Sequence, residues 1–174
     1  MATGWMNSFP IVTNKLALSG LYWEALPRDY REAILSNFKA IKDLEILQAR
    51  FRSPGTILDV VCSFNHLEKF SLEVFWNDWE VSTQMSDKKV LPLGLHNLGI
   101  INNIFNNDDL LNEILSFREL PAISSVHLAG LDHGHIHSST SLLHRLGPKL
   151  HHLEVMFFDT DVAGACLTIY VYFH

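Results

Sequence analysis

The sequence predicts a single α/β solenoid, in which short parallel strands stack side by side and a helix carries the chain from each strand to the next. Three observations predict it. The pattern apolar-x-x-apolar-x-apolar returns six times at near-constant spacing. Most segments between the copies carry apolar residues at helical intervals. No stretch of the 174-residue chain approaches the roughly 20 apolar residues of a membrane helix.

The pattern is clearest in Ile41, Leu44 and Ile46. It returns as Leu67, Phe70 and Leu72, as Leu95, Leu98 and Ile100, as Ile123, Val126 and Leu128, and as Leu150, Leu153 and Val155. A weaker first copy is Thr13, Leu16 and Leu18. The copies begin at 13, 41, 67, 95, 123 and 150, so the intervals are 28, 26, 28, 28 and 27 residues. Leucine-rich repeats have periods of roughly 20–29 residues. The fold expected is therefore a leucine-rich-repeat-like solenoid of six repeats, one domain over residues 1–174.

Strand geometry explains the pattern. Alternate side chains of a strand face opposite sides, so the last two apolar residues of each copy point inward together. The earlier one sits in the turn before the strand and packs inward too. Between the copies, Pro27 stands at a first helical position before Tyr30, Ile34 and Phe38, which share one face. Ser53-Pro54 opens a helix bearing Ile57, Leu58, Val61 and Cys62. Asn107, Asp108 and Asp109 supply a cap and negative charge before Leu110, Leu111, Ile114, Leu115 and Phe117. Ser139-Thr140-Ser141 precedes Leu142, Leu143 and Leu146, and Gly147-Pro148 stops that helix. Residues 76–94 show no helical stripe and are expected to form an irregular connection.

The segment Leu16-Ala17-Leu18-Ser19-Gly20-Leu21-Tyr22-Trp23-Glu24-Ala25-Leu26-Pro27, followed by a short helix and Leu44-Glu45-Ile46, resembles the degenerate leucine-rich-repeat region of fungal F-box-type proteins. The resemblance covers residues 11 to 160. It implies a repeat region that holds the substrate of a ubiquitin ligase, on a receptor whose F-box docks on the ligase adaptor. Two departures stand out. About a dozen residues precede the first strand, leaving no room there for an F-box. The Asn that follows the second strand Leu in the family is present only as Asn103, with Leu21, Ala49, Phe75, Leu131 and Phe158 at the corresponding positions.

Residues flanking the inward pair must point out of the opposite, concave face of the sheet. The central column is Ala17, Glu45, Ser71, Gly99, His127 and Glu154. Lys15, Asp43, Lys69, Asn97, Ser125 and His152 flank it on one side, and Ser19, Leu47, Glu73, Ile101, Ala129 and Met156 on the other. Solenoids bind partners on such extended surfaces. A protein partner is expected there, centred on Asp43, Glu45, Lys69, Glu73, His127, His152 and Glu154. Trp76 and Trp79 are candidate anchors beside it, because an exposed Trp buries a large rigid surface on binding.

Composition narrows the remaining classes. A formal charge of −6 with scattered Lys and Arg is opposite to the basic face that nucleic acid requires. Two cysteines, Cys62 and Cys166, are too few for a disulfide framework, and the polar start lacks a signal peptide. A cytoplasmic or nuclear protein, with no membrane partner, is expected. No cofactor is called for, and no enzyme signature is present: no Gly-x-Ser-x-Gly elbow, no phosphate-binding loop. Cys62 lies on an apolar helix stripe and reads as a small packed hydrophobe.

The alternative function is a metal-dependent hydrolase built on His133, His135 and His137, three imidazoles that would share one face of a strand. The cluster falls between a predicted strand and helix, without a matching carboxylate set, so a polar His-rich loop is the simpler reading. The run Leu167 to Phe173 is β-prone and uncharged; it is expected as a last strand on the sheet edge, and an aggregation hazard if left exposed. Such an apolar ending also suits a truncated gene product.

Overall fold

The computed structural model describes residues 13–74, 89–102, 107–131, 136–159 and 165–172. These residues build two layers, a seven-stranded sheet and four α-helices. The strands are β1 (Lys15–Ser19), β2 (Asp43–Leu47), β3 (Lys69–Val74), β4 (Asn97–Asn102), β5 (Ser125–Leu131), β6 (His152–Asp159) and β7 (Ala165–Tyr172). They lie in the sheet in sequence order. β1 to β6 are parallel, β7 pairs antiparallel with β6, and the sheet is not closed into a barrel. The Leu167–Phe173 run thus supplies the expected edge strand over its described residues.

The register follows the sequence pattern. Leu16, Leu44, Phe70, Leu98, Val126 and Leu153 stand side by side across the sheet, as do Leu18, Ile46, Leu72, Ile100, Leu128 and Val155. All but Leu16 are buried. The residues of the preceding turn, Ile41, Leu67, Leu95, Ile123 and Leu150, are buried with them. These side chains and those of the helices form one continuous hydrophobic cluster.

A main-chain device repeats with the same period. The carbonyl of Asn14 accepts the N–H groups of both Lys42 and Asp43, at 2.8 and 2.9 Å. The carbonyls of Lys42, Glu68, His96 and Ser124 each accept two N–H groups from the start of the following strand in the same way, at 2.8–3.1 Å. Further backbone links join the turns after β1 and β2. Arg50 donates its N–H to Leu21 at 2.7 Å, and Trp23 donates to Arg50 at 3.0 Å. Gly20 and Gln48 occupy equivalent turn positions with φ of 63° and 52°. The left-handed turn costs Gly20 nothing, whereas Gln48 adopts it at a steric penalty.

The helices are α1 (Arg28–Asn37), α2 (Pro54–Cys62), α3 (Asn107–Ser116) and α4 (Ile136–Leu146). α2 is the best anchored. Ser53 caps it by accepting the Thr56 N–H at 3.3 Å, Pro54 occupies its first turn, and Ile57, Leu58, Val60 and Val61 are buried. α1 is amphipathic but buries no residue fully; Ile34, Leu35 and Phe38 only lean on the core. Trp23, stacked on Phe51 at 5.9 Å, closes the core beside it. Gly147 ends α4 with φ of 56°.

Two expectations need correcting. α4 begins at Ile136, upstream of the Ser139-Thr140-Ser141 cap read from the sequence. Ser138 and Ser139 are buried inside the helix, and the Ser138 hydroxyl donates to the Asp108 carboxylate of α3. A partner on the neighbouring helix makes a polar residue tolerable there. Arg145 then donates to the carbonyls of Leu115, Phe117 and Arg118, which satisfies the open end of α3. Ala129 keeps its place in the outward row, between Ile101 and Met156, yet is buried there; the register against β6 shifts only beyond it, between Ala129 and Leu131.

Residues 89–94 of the expected irregular connection run through a turn at Leu93-Gly94; the rest of it lies outside the described residues. Among the described residues no helix is long and apolar enough to cross a membrane.

Core and periphery should respond differently to truncation. Ile46→Ala, at a site with 0 % exposure, is expected to cost about 2–5 kcal/mol, whereas Ile34→Ala on α1 should cost well under half as much. Urea denaturation midpoints of the two variants measure the difference.

Candidate functional site

The strand positions that alternate with the buried pairs carry a polar face free of helices among the described residues. Its central row is Ala17, Glu45, Ser71, Gly99, His127 and Glu154, in register across six strands. Lys15, Asp43, Lys69, Asn97, Ser125 and His152 form the row before it; Ser19, Leu47, Glu73 and Ile101 begin the row after it. The face thus holds Asp43, Glu45, Lys69, Glu73, His127, His152 and Glu154 together, each half-buried or exposed. Parallel pairing is what assembles them, since neighbours across strands are 26–28 residues apart in the chain.

The face has two different ends. At the β1 end Lys15 Nζ pairs with Glu45 Oε1 at 2.5 Å, and this bond to Glu45 raises the Lys15 pKa above its ordinary value. Asp43 stands opposite Lys69, and Leu47 opposite Glu73. In the middle, Ser71 and Gly99 keep the surface low; a Cβ on Gly99 would meet the Ser71 hydroxyl at 3.2 Å.

The β6 end is aromatic and imidazole-rich. His127 Nε2 lies 3.9 Å from Glu154 Oε2, and Ser125 Oγ lies 3.4 Å from His152 Nδ1. β7 extends this end. Tyr172 stands opposite His152 with rings stacked at 5.0 Å and 8°. Tyr170 stands opposite Glu154, and its hydrogen bond to that carboxylate raises the phenol pKa. The Nε2 atoms of His127 and His152 are shielded from solvent without a hydrogen-bond partner. Tyr170 and Tyr172 were not among the site residues read from the sequence. The available signal was their two-residue spacing in an uncharged run, which sets both on one face of a strand.

Other candidates separate from this face. Trp76, Trp79, His133 and His135 lie outside the described residues. His137 lies in the first turn of α4, exposed, so the shared strand face imagined for the three imidazoles does not extend to it. Among the described residues no group of three His, Cys, Asp or Glu side chains is placed to hold a metal ion.

On the helical side, a groove of about 580 Å³ lies between α1 and α2, lined by Glu32, Leu35, Lys39, Cys62 and His66 among others. Burial pushes the Cys62 thiol up to about 11, which suits a packed side chain rather than a nucleophile.

No family model, curated protein or solved structure matches the chain.

The Cys62 environment can be checked directly. With its pKa raised from 9.0 to about 11, thiolate is scarce at pH 8, and alkylation by iodoacetamide should run about 100-fold slower than at a free cysteine. Site-resolved mass spectrometry of labelling between pH 8 and 11 should show the rate rising throughout, with no plateau near 9.

Proposed function

We propose that the chain is a leucine-rich-repeat-like solenoid that binds a protein partner on the polar, concave face of its sheet, without catalysis. The observation that carries this reading is the register. Six strands present one continuous row of outward side chains, Ala17 to Glu154, in a surface that no helix among the described residues covers. A broad array of charged and aromatic groups suits an extended protein surface better than a small molecule, which needs an enclosing, mostly apolar pocket.

The groups of the face divide the work of recognition. Asp43, Glu45, Lys69 and Glu73 lie at its charged end and set orientation and association rate. His127, His152, Glu154, Tyr170 and Tyr172 form its aromatic end and offer the rigid area that anchors interfaces. The resemblance to the repeat region of fungal F-box-type proteins, read together with six strands of nearly constant period, supports reading the partner as the substrate of a ubiquitin ligase and the chain as its receptor's repeat region. A cytoplasmic or nuclear setting goes with that role.

Charge reversal tests the site. The partner captured by the wild-type chain from its native cell should bind the double variant Glu73→Lys, Glu154→Lys at least tenfold more weakly, a loss of about 1.4 kcal/mol or more. Glu32→Lys, on the helical side, should bind as the wild type does. A partner held equally by all three chains in titration calorimetry would place binding elsewhere and overturn the proposal.

A further inference from the structure

Among the described residues, half of the exposed large hydrophobic side chains belong to β7: Leu167 is 60 % exposed, Ile169 40 %, Tyr170 57 % and Tyr172 65 %. The strand reads ACLTIYVY, without a charge or a proline. One of its edges pairs with β6 along the whole strand without a bulge, and the other faces no strand among the described residues. A free edge is a row of unpaired N–H and C=O groups. Proteins blunt such edges with lysine, proline or a bulge, and β7 has none of these.

We propose that β7 pairs antiparallel with β7 of a second copy about a two-fold axis, joining two seven-stranded sheets into one. This edge adjoins the partner-binding face, sharing Tyr170 and Tyr172 with it, and the pairing does not depend on that face binding a partner.

Three features favour a second copy over another occupant. First, an antiparallel edge is self-complementary, as a two-fold interface requires. Side chains of β7 alternate between faces: Leu167, Ile169 and Val171 stand opposite Phe157, Val155 and Leu153, and Thr168, Tyr170 and Tyr172 opposite Met156, Glu154 and His152. With Ile169 on the axis, Leu167 of each copy meets Val171 of the other on the apolar side, and Thr168 meets Tyr170 on the polar side. Like faces therefore coincide along the strand.

Second, charge permits the contact. Each chain carries −6, so copies repel over most of their surface. The Glu154 carboxylate belongs to β6, so two such groups would lie three strand spacings apart, about 14 Å. That exceeds the Debye length of about 8 Å at physiological salt. Third, the opposite edge of the sheet is a poor mate. β1 has five residues against eight in β7, carries Lys15, and would join head to tail, which propagates instead of closing.

The four exposed side chains offer on the order of 400 Å² per copy, about half the ~800 Å² per partner of a standard interface. Backbone hydrogen bonds along the strand add to this. The association should therefore be reversible and concentration-dependent.

Sedimentation velocity of the full chain should show 19.8 kDa particles giving way to particles of twice that mass as concentration rises through the micromolar range. Ile169→Lys and Ile169→Glu chains should each stay single, since like charges would meet on the axis, with circular dichroism unchanged. Mixed in equal amounts, they should dimerise. If either fails to fold, Thr168→Lys and Thr168→Glu test the pairing on the other face of the strand, where residues 168 of the two copies are diagonal neighbours across the axis. A single-chain mass at every wild-type concentration, a dimer that survives in the lone lysine variant, or oligomers that grow beyond two chains would each overturn the proposal.

Discussion

The structure depends on one constraint: each strand must start level with the one before it. A carbonyl just ahead of a strand accepts two N–H groups from the start of the next, and the same link recurs from Asn14 through Ser124. Register in a sheet is all or nothing for side-chain direction, since a slip of one residue exchanges the two faces. The double link fixes register at the strand's start. The buried rows Leu44, Phe70, Leu98, Val126 and Ile46, Leu72, Ile100, Leu128 then fix it by burial. Both devices act together at every repeat boundary.

From that register the polar face follows without further design. If leucine-type residues must face the helices, the residues between them must face away, and those of successive strands must line up. The charged end and the imidazole-aromatic end are consequences of which residues occupy those positions. β7 changes the character of the sheet at its last step. It turns back antiparallel, sets Tyr170 and Tyr172 beside Glu154 and His152, and leaves an uncharged edge where the earlier strands had neighbours. The partner-binding reading uses the first of these contributions, and self-association uses the second.

The helical layer is less uniform than the sheet. α2 is capped and fully packed, whereas α1 rests on the core with half-buried residues and leaves a groove beside Cys62. α3 and α4 are tied by polar contacts, Ser138 to Asp108 and Arg145 to the carbonyls of Leu115, in the last turn of α3, and of Phe117 and Arg118 just past it. Such contacts link neighbouring helices of the layer directly to each other.

Much of this was legible in the sequence, for a physical reason. Six strand starts, the buried positions of each copy and the members of the polar rows come from a periodicity, and periodicity survives translation from chain to sheet because every repeat meets the same geometric demand. Other features required contacts between residues distant in the chain. The buried Ser138 of the early-starting α4 is matched by the Asp108 carboxylate of α3, and the strand register shifts beyond Ala129 against β6; neither is visible from local propensity. The pairing of Tyr170 with Glu154 and of Tyr172 with His152 depends on β7 running antiparallel in one register. The sequence by itself determined which residues face inward and which face out. Only the tertiary structure decided which outward residues touch, because contact is set by strand register and direction, and these are properties of the assembled sheet.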